Sequence, residues 1–355
     1  MQAGDAVGND CLEMERALSA AGHEVRIFAP VWDRGLDVTH VNQIGAYLRD
    51  SSDILIYHYT IAWDVALRLF QELSCRRVIK YHNVTPPEFF APYHYEYARL
   101  CRLGIQQLAE FIAAKPDLYL GDSAFNVEDL IGRGADRERC RVVPPFHKTD
   151  ALLEREADLD MLASLTPDAF GEVTNLLMVG RIVPNKGYEH LIRSFALYAK
   201  AYNRHSRLIL AGRQNAMLHL YYQRLRQLIR ENDLEGRVLF TGHISDAALK
   251  SCYLAAHVFM IQSEHEGFCV PLIEAMAFGV PVVALARGAV AETGGDAALV
   301  WDDPDPALFA ASAHRVVSDE ELRHELGEAG RSWYAERFDN AKIETRLLEA
   351  LGELL

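Results

Sequence analysis

Two short stretches of this chain hold residues whose types and spacing suit chemistry on a phosphorylated, hydroxyl-rich ligand. The first is Gly180-Arg181-Ile182-Val183-Pro184-Asn185-Lys186-Gly187. Its two cations can converge on one polyanion. Arg181 offers a forked donor and Lys186 a mobile point charge, a pair suited to a diphosphate. The second runs from Ser263 to Ala277 and carries Glu266 and Glu274. Pro271 fits the first turn of a helix, where its missing N–H costs nothing. Gly267 permits close backbone approach just before that turn. Amides from Phe268 to Leu272 then make a helix start that favours anions. The two carboxylates need not be an acid/base pair, since acceptors at those places can hold hydroxyls of a sugar and a ribose. Solvated loop cations and core-edge acids are the plainer reading of the same residues. An idle Glu274 in so apolar a run would nonetheless need a partner.

Both stretches follow short apolar runs and lead into amphipathic ones. In the second half, Asn175–Val179, Arg207–Ala211, Arg237–Thr241, His257–Ile261, Pro281–Leu285 and Ala297–Trp301 read as strands. Tyr188–Ala201 and Met217–Asn232 read as helices between them. In the first half, Glu24–Ala29, Asp53–Tyr57, Arg77–Tyr81, Asp117–Gly121 and Arg141–Val143 read as strands. Asp10–Ala21 reads as a helix capped by Asn9 or Asp10 and ended by Gly22. Strands alternating with helices imply parallel sheets covered on both faces. The expectation is an α/β chain of two doubly wound domains with ligands at the carboxyl ends of the strands.

The division is expected near Pro144-Pro145-Phe146, giving domains over 1–147 and 148–338, with a polar stretch from Lys148 to Glu172 free of strand signal. A last helix over 339–355 is expected to cross back to the first domain. The chain opens directly on the loop Gly4-Asp5-Ala6-Val7-Gly8-Asn9 with no strand before it. Either the start was assigned late or the first sheet is one strand short.

The chain has 355 residues and a formal net charge of −14. That length suits two domains of about 100–200 residues, and the acidic balance argues against a nucleic-acid partner. Six scattered cysteines without a Cys-x-x-Cys pair suggest reduced thiols in a cytoplasmic protein and no metal cage. No apolar run reaches the roughly 18 residues of a membrane span, and no signal peptide is evident. Arg76, Arg77, Lys80, Arg99 and Arg102, with Phe89, Phe90, Tyr93, Tyr95 and Tyr97, make the first half locally basic and aromatic. That patch is the expected surface for peripheral contact with an anionic membrane or for a lipid-diphosphate acceptor.

The second half resembles the retaining glycosyltransferases of family four, which share the two-domain GT-B fold. The resemblance rests on Val179-Gly180-Arg181 with Lys186-Gly187, Leu210-Ala211-Gly212 and Val238 to Gly242. It continues through Glu266 and Glu274, Ala275-Met276-Ala277 and Gly279 to Val283, in the family's order and spacing. It implies two Rossmann-like domains facing a cleft, closing over a nucleotide-diphosphate sugar that donates a hexose. It also implies transfer with retention and without a metal or other cofactor. Arg181 and Lys186 would bind the diphosphate. Glu266 would hold sugar hydroxyls with Gly267, Phe268, Cys269 and Val270, Glu274 the ribose, and Gly242-His243-Ile244 would flank the nucleobase. Cys269 stands where many members have glycine. In the first half the resemblance places His82 near donor sugar and acceptor. His58 and the loop residues Gly4, Asp5, Gly8 and Asn9 would line the acceptor or phosphate side, and Asp122-Ser123 follows another strand at the same edge. The acceptor would be a glycan, a lipid-linked sugar or a small molecule, in polysaccharide or glycoconjugate assembly. Other readings of the same motifs are a GT-B epimerase or phosphorylase, or a non-catalytic nucleotide-sugar-binding subunit.

Overall fold

Runs such as Leu176-Leu177-Met178 and Val282-Val283-Ala284 are apolar at every position, which suits strands buried on both faces. The structure is a computed structural model describing residues 5–166, 173–352 and 354. By its internal contacts the chain divides into two units. One comprises 1–87, 99–148 and 338–355; the other comprises 88–98 and 149–337. The segment 88–98 thus groups with the second unit, not with the first half that contains it in sequence.

In the first unit, β1 (Phe28–Ala29) and β2 (Thr39–His40) pair in parallel as a separate two-stranded sheet. The main sheet has β3 (Ile54–Tyr59), β4 (Arg76–Tyr81), β5 (Leu118–Gly121) and β6 (Cys140–Val142), parallel and in that spatial order. The expected strand over Glu24–Ala29 shrinks to its last two residues. Its charged start is solvent-facing, and Glu24 is ion-paired with exposed Arg49. Helices α1 (Ala6–Ala20), α2 (Asp64–Glu72), α3 (Tyr95–Ala113) and α4 (Ala124–Gly132) complete the sequence-local part. Crossovers between parallel strands are right-handed. With the strands in sequential order, α2, α3 and α4 must therefore share one face. The opposite face is left to α1 and to α14 (Asn340–Gly352), which arrives from the far end of the chain. There Met14, Ala17 and Leu18 meet Val78, Leu118, Leu120, Ile343, Leu347 and Leu351 in one buried cluster.

Helix α1 corrects the reading of the opening segment. It begins at Ala6, with Asp5 as its extended N-cap residue. Gly8 and Asn9 are therefore helical, not part of a phosphate loop, and Gly4 lies outside the described residues. Gly8 and Asn9 are weak helix formers, and the buried face formed by Gly8, Asp10, Met14, Ala17 and Leu18 carries the helix through them. Asp10, expected as a cap, is fully buried and accepts from the Phe146 amide at 2.7 Å.

In the second unit, α5 (Thr149–Glu154) and α6 (Leu159–Leu165) occupy the stretch without strand signal. Then come β7 (Thr174–Val179), α7 (Tyr188–Ala201), β8 (Ser206–Ala211), α8 (His219–Glu231) and β9 (Val238–Gly242). Next are α9 (Asp246–Ala255), β10 (Val258–Ile261), α10 (Val270–Ala277), β11 (Val282–Leu285), α11 (Val290–Gly294) and β12 (Leu299–Trp301). Helices α12 (Pro306–Ser318) and α13 (Glu320–Arg337) follow. The six strands lie in the order β12-β11-β10-β7-β8-β9, all parallel. The chain steps outward from β7 to β9, then returns to β10 on the other side of β7. That reversal is a switch point, where adjacent loops part and ligands bind.

The α14 packing is testable. Leu347→Ala should cost about 2–5 kcal/mol in denaturant unfolding. Glu349→Ala, on the exposed side of the same helix, should stay within roughly 0.5 kcal/mol.

Candidate functional site

At the switch point, the loops after β7 and β10 lie in contact. Gly187 has φ +65°, and a β-carbon there would come within 1.8 Å of the Gln262 carbonyl oxygen. Only glycine permits that approach. Asn185 then joins the two loops: its carbonyl accepts from the Glu264 amide at 2.8 Å, and its Nδ2 donates to the His265 carbonyl at 3.1 Å. The loop after β8 closes in as well, since a β-carbon on Gly212 would sit 1.9 Å from the Gly180 carbonyl oxygen.

This arrangement sets Lys186 on Glu266. Lys186 Nζ donates to both Glu266 oxygens, at 2.6 and 2.7 Å. Glu266 is buried and Lys186 half-buried, while Arg181 is exposed on the same loop as Lys186. A carboxylate in that position needs its cation, since an unpaired buried charge is strongly unfavourable.

Helix α10 starts at Val270 with Pro271 in its first turn. Cys269 precedes it with φ +81° and ψ +69°, a left-handed conformation that L residues other than asparagine and aspartate rarely hold. A glycine here would meet that demand without a β-carbon. The Cys269 thiol is buried, and burial first, then the nearby Glu266 charge, pushes its pKa up. A buried thiol held protonated is a poor nucleophile. Glu274, further along α10, accepts from the Tyr253 hydroxyl at 2.6 Å. Burial raises its pKa to about 7, with Tyr253 opposing and Asp246 adding to the rise. The loop after β9 leaves Gly242 with exposed His243 and half-buried Ile244, before Ser245 caps α9. All these residues leave the carboxyl edge of one sheet or begin the following helix.

The first unit holds a second polar cluster. Lys80 is fully buried and donates to Asp122 Oδ1 at 2.5 Å and to the Val143 carbonyl. The other Asp122 oxygen lies 2.9 Å from His82 Nδ1. A carboxylate paired with lysine accepts only, so His82 Nδ1 carries a proton and donates to it. His58 Nδ1 lies 3.0 Å from that Nε2. The two ring planes are 16° apart with centroids 5.2 Å apart. That spacing sets the rings edge to edge, with the nitrogens aimed at each other as in an N–H···N bond. Asp10 Oδ2 stands beside them, 3.3 Å from His58 and 3.5 Å from His82. The ligand-capable atoms of these three side chains all lie within 4.8 Å of one another, close enough to hold a metal ion.

Burial alone would lower the His58 pKa. Cys11 and the adjacent Asp10 carboxylate, 3.3 Å away, outweigh it and raise the value to about 10. Burial would raise Asp10, but Lys80 and His58 hold it down at about 2. Two buried carboxylates thus face two buried cations. Both ring nitrogens of His82 are engaged within this cluster, which limits what it can offer a substrate in this state.

Several expected positions move. Lys80 is fully buried and Arg77 donates to the Phe70 carbonyl at 3.0 Å, so these two leave the expected basic patch, while Arg99, Arg102 and Tyr95 are exposed. Phe90 is buried against Tyr97, and Tyr93 packs on Tyr221. Sequence reasoning missed Asn185, Tyr253 and Asp10 as site-builders. A lysine inside the apolar run Val78-Ile79-Lys80-Tyr81 was a signal, since a charge in a buried strand needs a partner.

With this geometry in view, comparison with known proteins is informative. Residues 168–333 match the family described as Glycosyl transferases group 1. The chain carries a group 1 glycosyltransferase domain. The O-antigen chain mannosyltransferase B of Escherichia coli is 29% identical over 174 residues, covering 49% of this chain and 44% of that protein. The D-inositol 3-phosphate glycosyltransferase of Thermomonospora curvata is 30% identical over 253 residues, covering 68% and 58%. The chain therefore spans about half the length of the curated relatives it matches. Anabaena HepE, solved in complex with UDP-glucose, superposes with a TM-score of 0.75 at 17% identity, covering 99% of this chain and 98% of that one. That likeness shows the fold, GT-B, with the glycosyltransferase domain as one of its two Rossmann-like units.

The charge balance in the first unit gives a pH test. His58 has a higher pKa folded than unfolded, so its contribution is complete below about pH 6.5 and fades as pH approaches about 10. His58→Asn should cost about 3 kcal/mol near pH 6, because buried Asp10 loses one of the two cations, with Lys80, that hold it charged. The deficit should shrink in denaturant unfolding near pH 10. An equal deficit at both values would remove the proposed ion pair.

Proposed function

We propose that the chain transfers a hexose from a UDP- or GDP-sugar to a glycan, lipid-linked or small-molecule acceptor, with retention and without a metal. The observation carrying this is the doubly hydrogen-bonded Lys186–Glu266 pair beside the start of α10. A nucleotide sugar presents a diphosphate and hydroxyls side by side. Lys186 turns to the diphosphate with Arg181, and Glu266 is released to accept from sugar hydroxyls. The backbone at Gly267, Phe268 and Cys269 faces the sugar, and Glu274 accepts from the ribose. The loop Gly242-His243-Ile244 lies against the nucleobase. Two cations and a helix start supply the charge that a metal supplies elsewhere.

In the reaction, the bond from the anomeric carbon to the diphosphate oxygen breaks as the acceptor oxygen bonds the same face. The acceptor's proton passes to the departing phosphate. Arg181 and Lys186 stabilise the charge that grows there. For His82 to touch sugar or acceptor through Nε2, His58 must first release it.

Two measurements test this reading. Incubation with labelled UDP- and GDP-sugars should release the nucleoside diphosphate, and Lys186→Ala should slow release by about 10²–10³-fold. Epimerised donor, or phosphate-dependent cleavage, would instead indicate a different GT-B chemistry. Glu274 supplies the second test. Its folded value near 7 means that the carboxylate, the better acceptor for ribose, forms as pH rises. Donor-sugar affinity should therefore increase between about pH 6 and pH 8 in the wild type and stay flat in Glu274→Gln.

A further inference from the structure

From His190 to Arg230 the chain has no aspartate or glutamate, although it carries 50 of them and a net charge of −14. The same stretch holds eight of its 36 lysines and arginines. It spans β8 and all of α7 and α8 except their ends, which carry Glu189 and Glu231. On α8, Tyr221, Leu225, Leu228 and Ile229 face inward. Leu220, Gln223, Arg226, Gln227 and Arg230 face solvent at helical spacing. Arg213 is exposed just before the helix, and its carbonyl accepts from the Ile182 amide at 3.0 Å. The surface therefore begins beside the Arg181 loop. At that end two large apolar side chains stand in water, Met217 at 44% exposure and Leu220 at 47%. An open depression of about 550 Å³, lined by Leu220, Arg226 and Arg230 among others, lies along the helix. Arg224, by contrast, is taken up by Glu189 and Glu231.

We propose that this face of α8 docks on an anionic phospholipid surface. Arg213, Arg226 and Arg230 meet lipid phosphates, while Met217 and Leu220 enter the interfacial layer. Charge complementarity selects an anionic partner from an otherwise acidic chain. The exposed aliphatic pair favours lipid, whereas nucleic acid would use a free aromatic face for stacking, and Tyr222, the aromatic lining the depression, is already covered by the Arg226 guanidinium 5.3 Å from its ring centroid. Docking in this way would bring the carboxyl edge of the second sheet to the membrane surface. It does not depend on which sugar is transferred.

The test is co-sedimentation of the full chain with vesicles of phosphatidylcholine alone or mixed with phosphatidylglycerol. Binding should require phosphatidylglycerol and fall with added salt. Arg226→Gln with Arg230→Gln should weaken it by about thirty-fold, and Met217→Ser with Leu220→Ser by about tenfold. All four residues are exposed, so unchanged melting temperatures would confirm that the variants fold. The proposal is overturned if mixed and pure phosphatidylcholine vesicles bind equally or not at all. It is also overturned if both double variants bind as the wild type does. Loss of binding with the arginine pair alone, together with competition by duplex DNA, would assign the face to nucleic acid. Self-association through these residues without vesicles would assign it to a second copy of the chain.

Discussion

The second unit is organised around the close approach of two loops. Gly187 lets the loop after β7 reach the backbone of Gln262, and Asn185 holds it to Glu264 and His265. With those contacts in place, Lys186 and Glu266 have little choice but to pair. The pair satisfies both charges against each other. A ligand offering an anion to the lysine and hydroxyls to the glutamate replaces each partner in kind. Few small molecules do both at adjacent positions, and nucleotide-diphosphate sugars are among them.

The first unit solves a different electrostatic problem. Asp10, Asp122, Lys80 and His58 place four ionisable groups in a buried or nearly buried region, two of each sign. Each element that supplies them is fixed from elsewhere. Helix α1 is held by the Phe146 amide on Asp10 and by the apolar faces of α14. The polar cluster therefore depends on a helix far away in sequence. His82 sits at its centre, with Nδ1 against Asp122 and Nε2 facing His58.

Much of this was legible in the sequence. The alternation of apolar runs and helices located the strands of the second sheet to within a residue or two, because strands buried on both faces have few polar positions to blur their ends. Arg181, Lys186, Glu266 and Glu274 stood out because their spacing suits a ligand, and the structure puts all four at or next to one sheet edge. What was not legible depended on partners distant in sequence. Nothing local reveals that Tyr253 reaches Glu274, or that Lys80 is spent on Asp122 rather than offered to a membrane. The opening residues misled for a related reason. Gly8 and Asn9 suit a loop by composition, but helix α1 runs through them because its buried face is set by the sheet and α14. The acid-free stretch along α7 and α8 was visible as composition, yet only the fold shows which of its arginines face outward.

The division of labour between Lys186 and Glu266 can be measured by calorimetry. UDP or GDP, and the corresponding nucleotide sugar, would be titrated into the wild type, Lys186→Ala and Glu266→Gln. If the pair separates on binding, with lysine to the diphosphate and glutamate to the sugar, Lys186→Ala weakens both ligands. Glu266→Gln then weakens the nucleotide sugar and leaves the free diphosphate nearly unchanged. Equal weakening of both ligands by Glu266→Gln would show that the glutamate serves only to hold the lysine, and would contradict this account of the site.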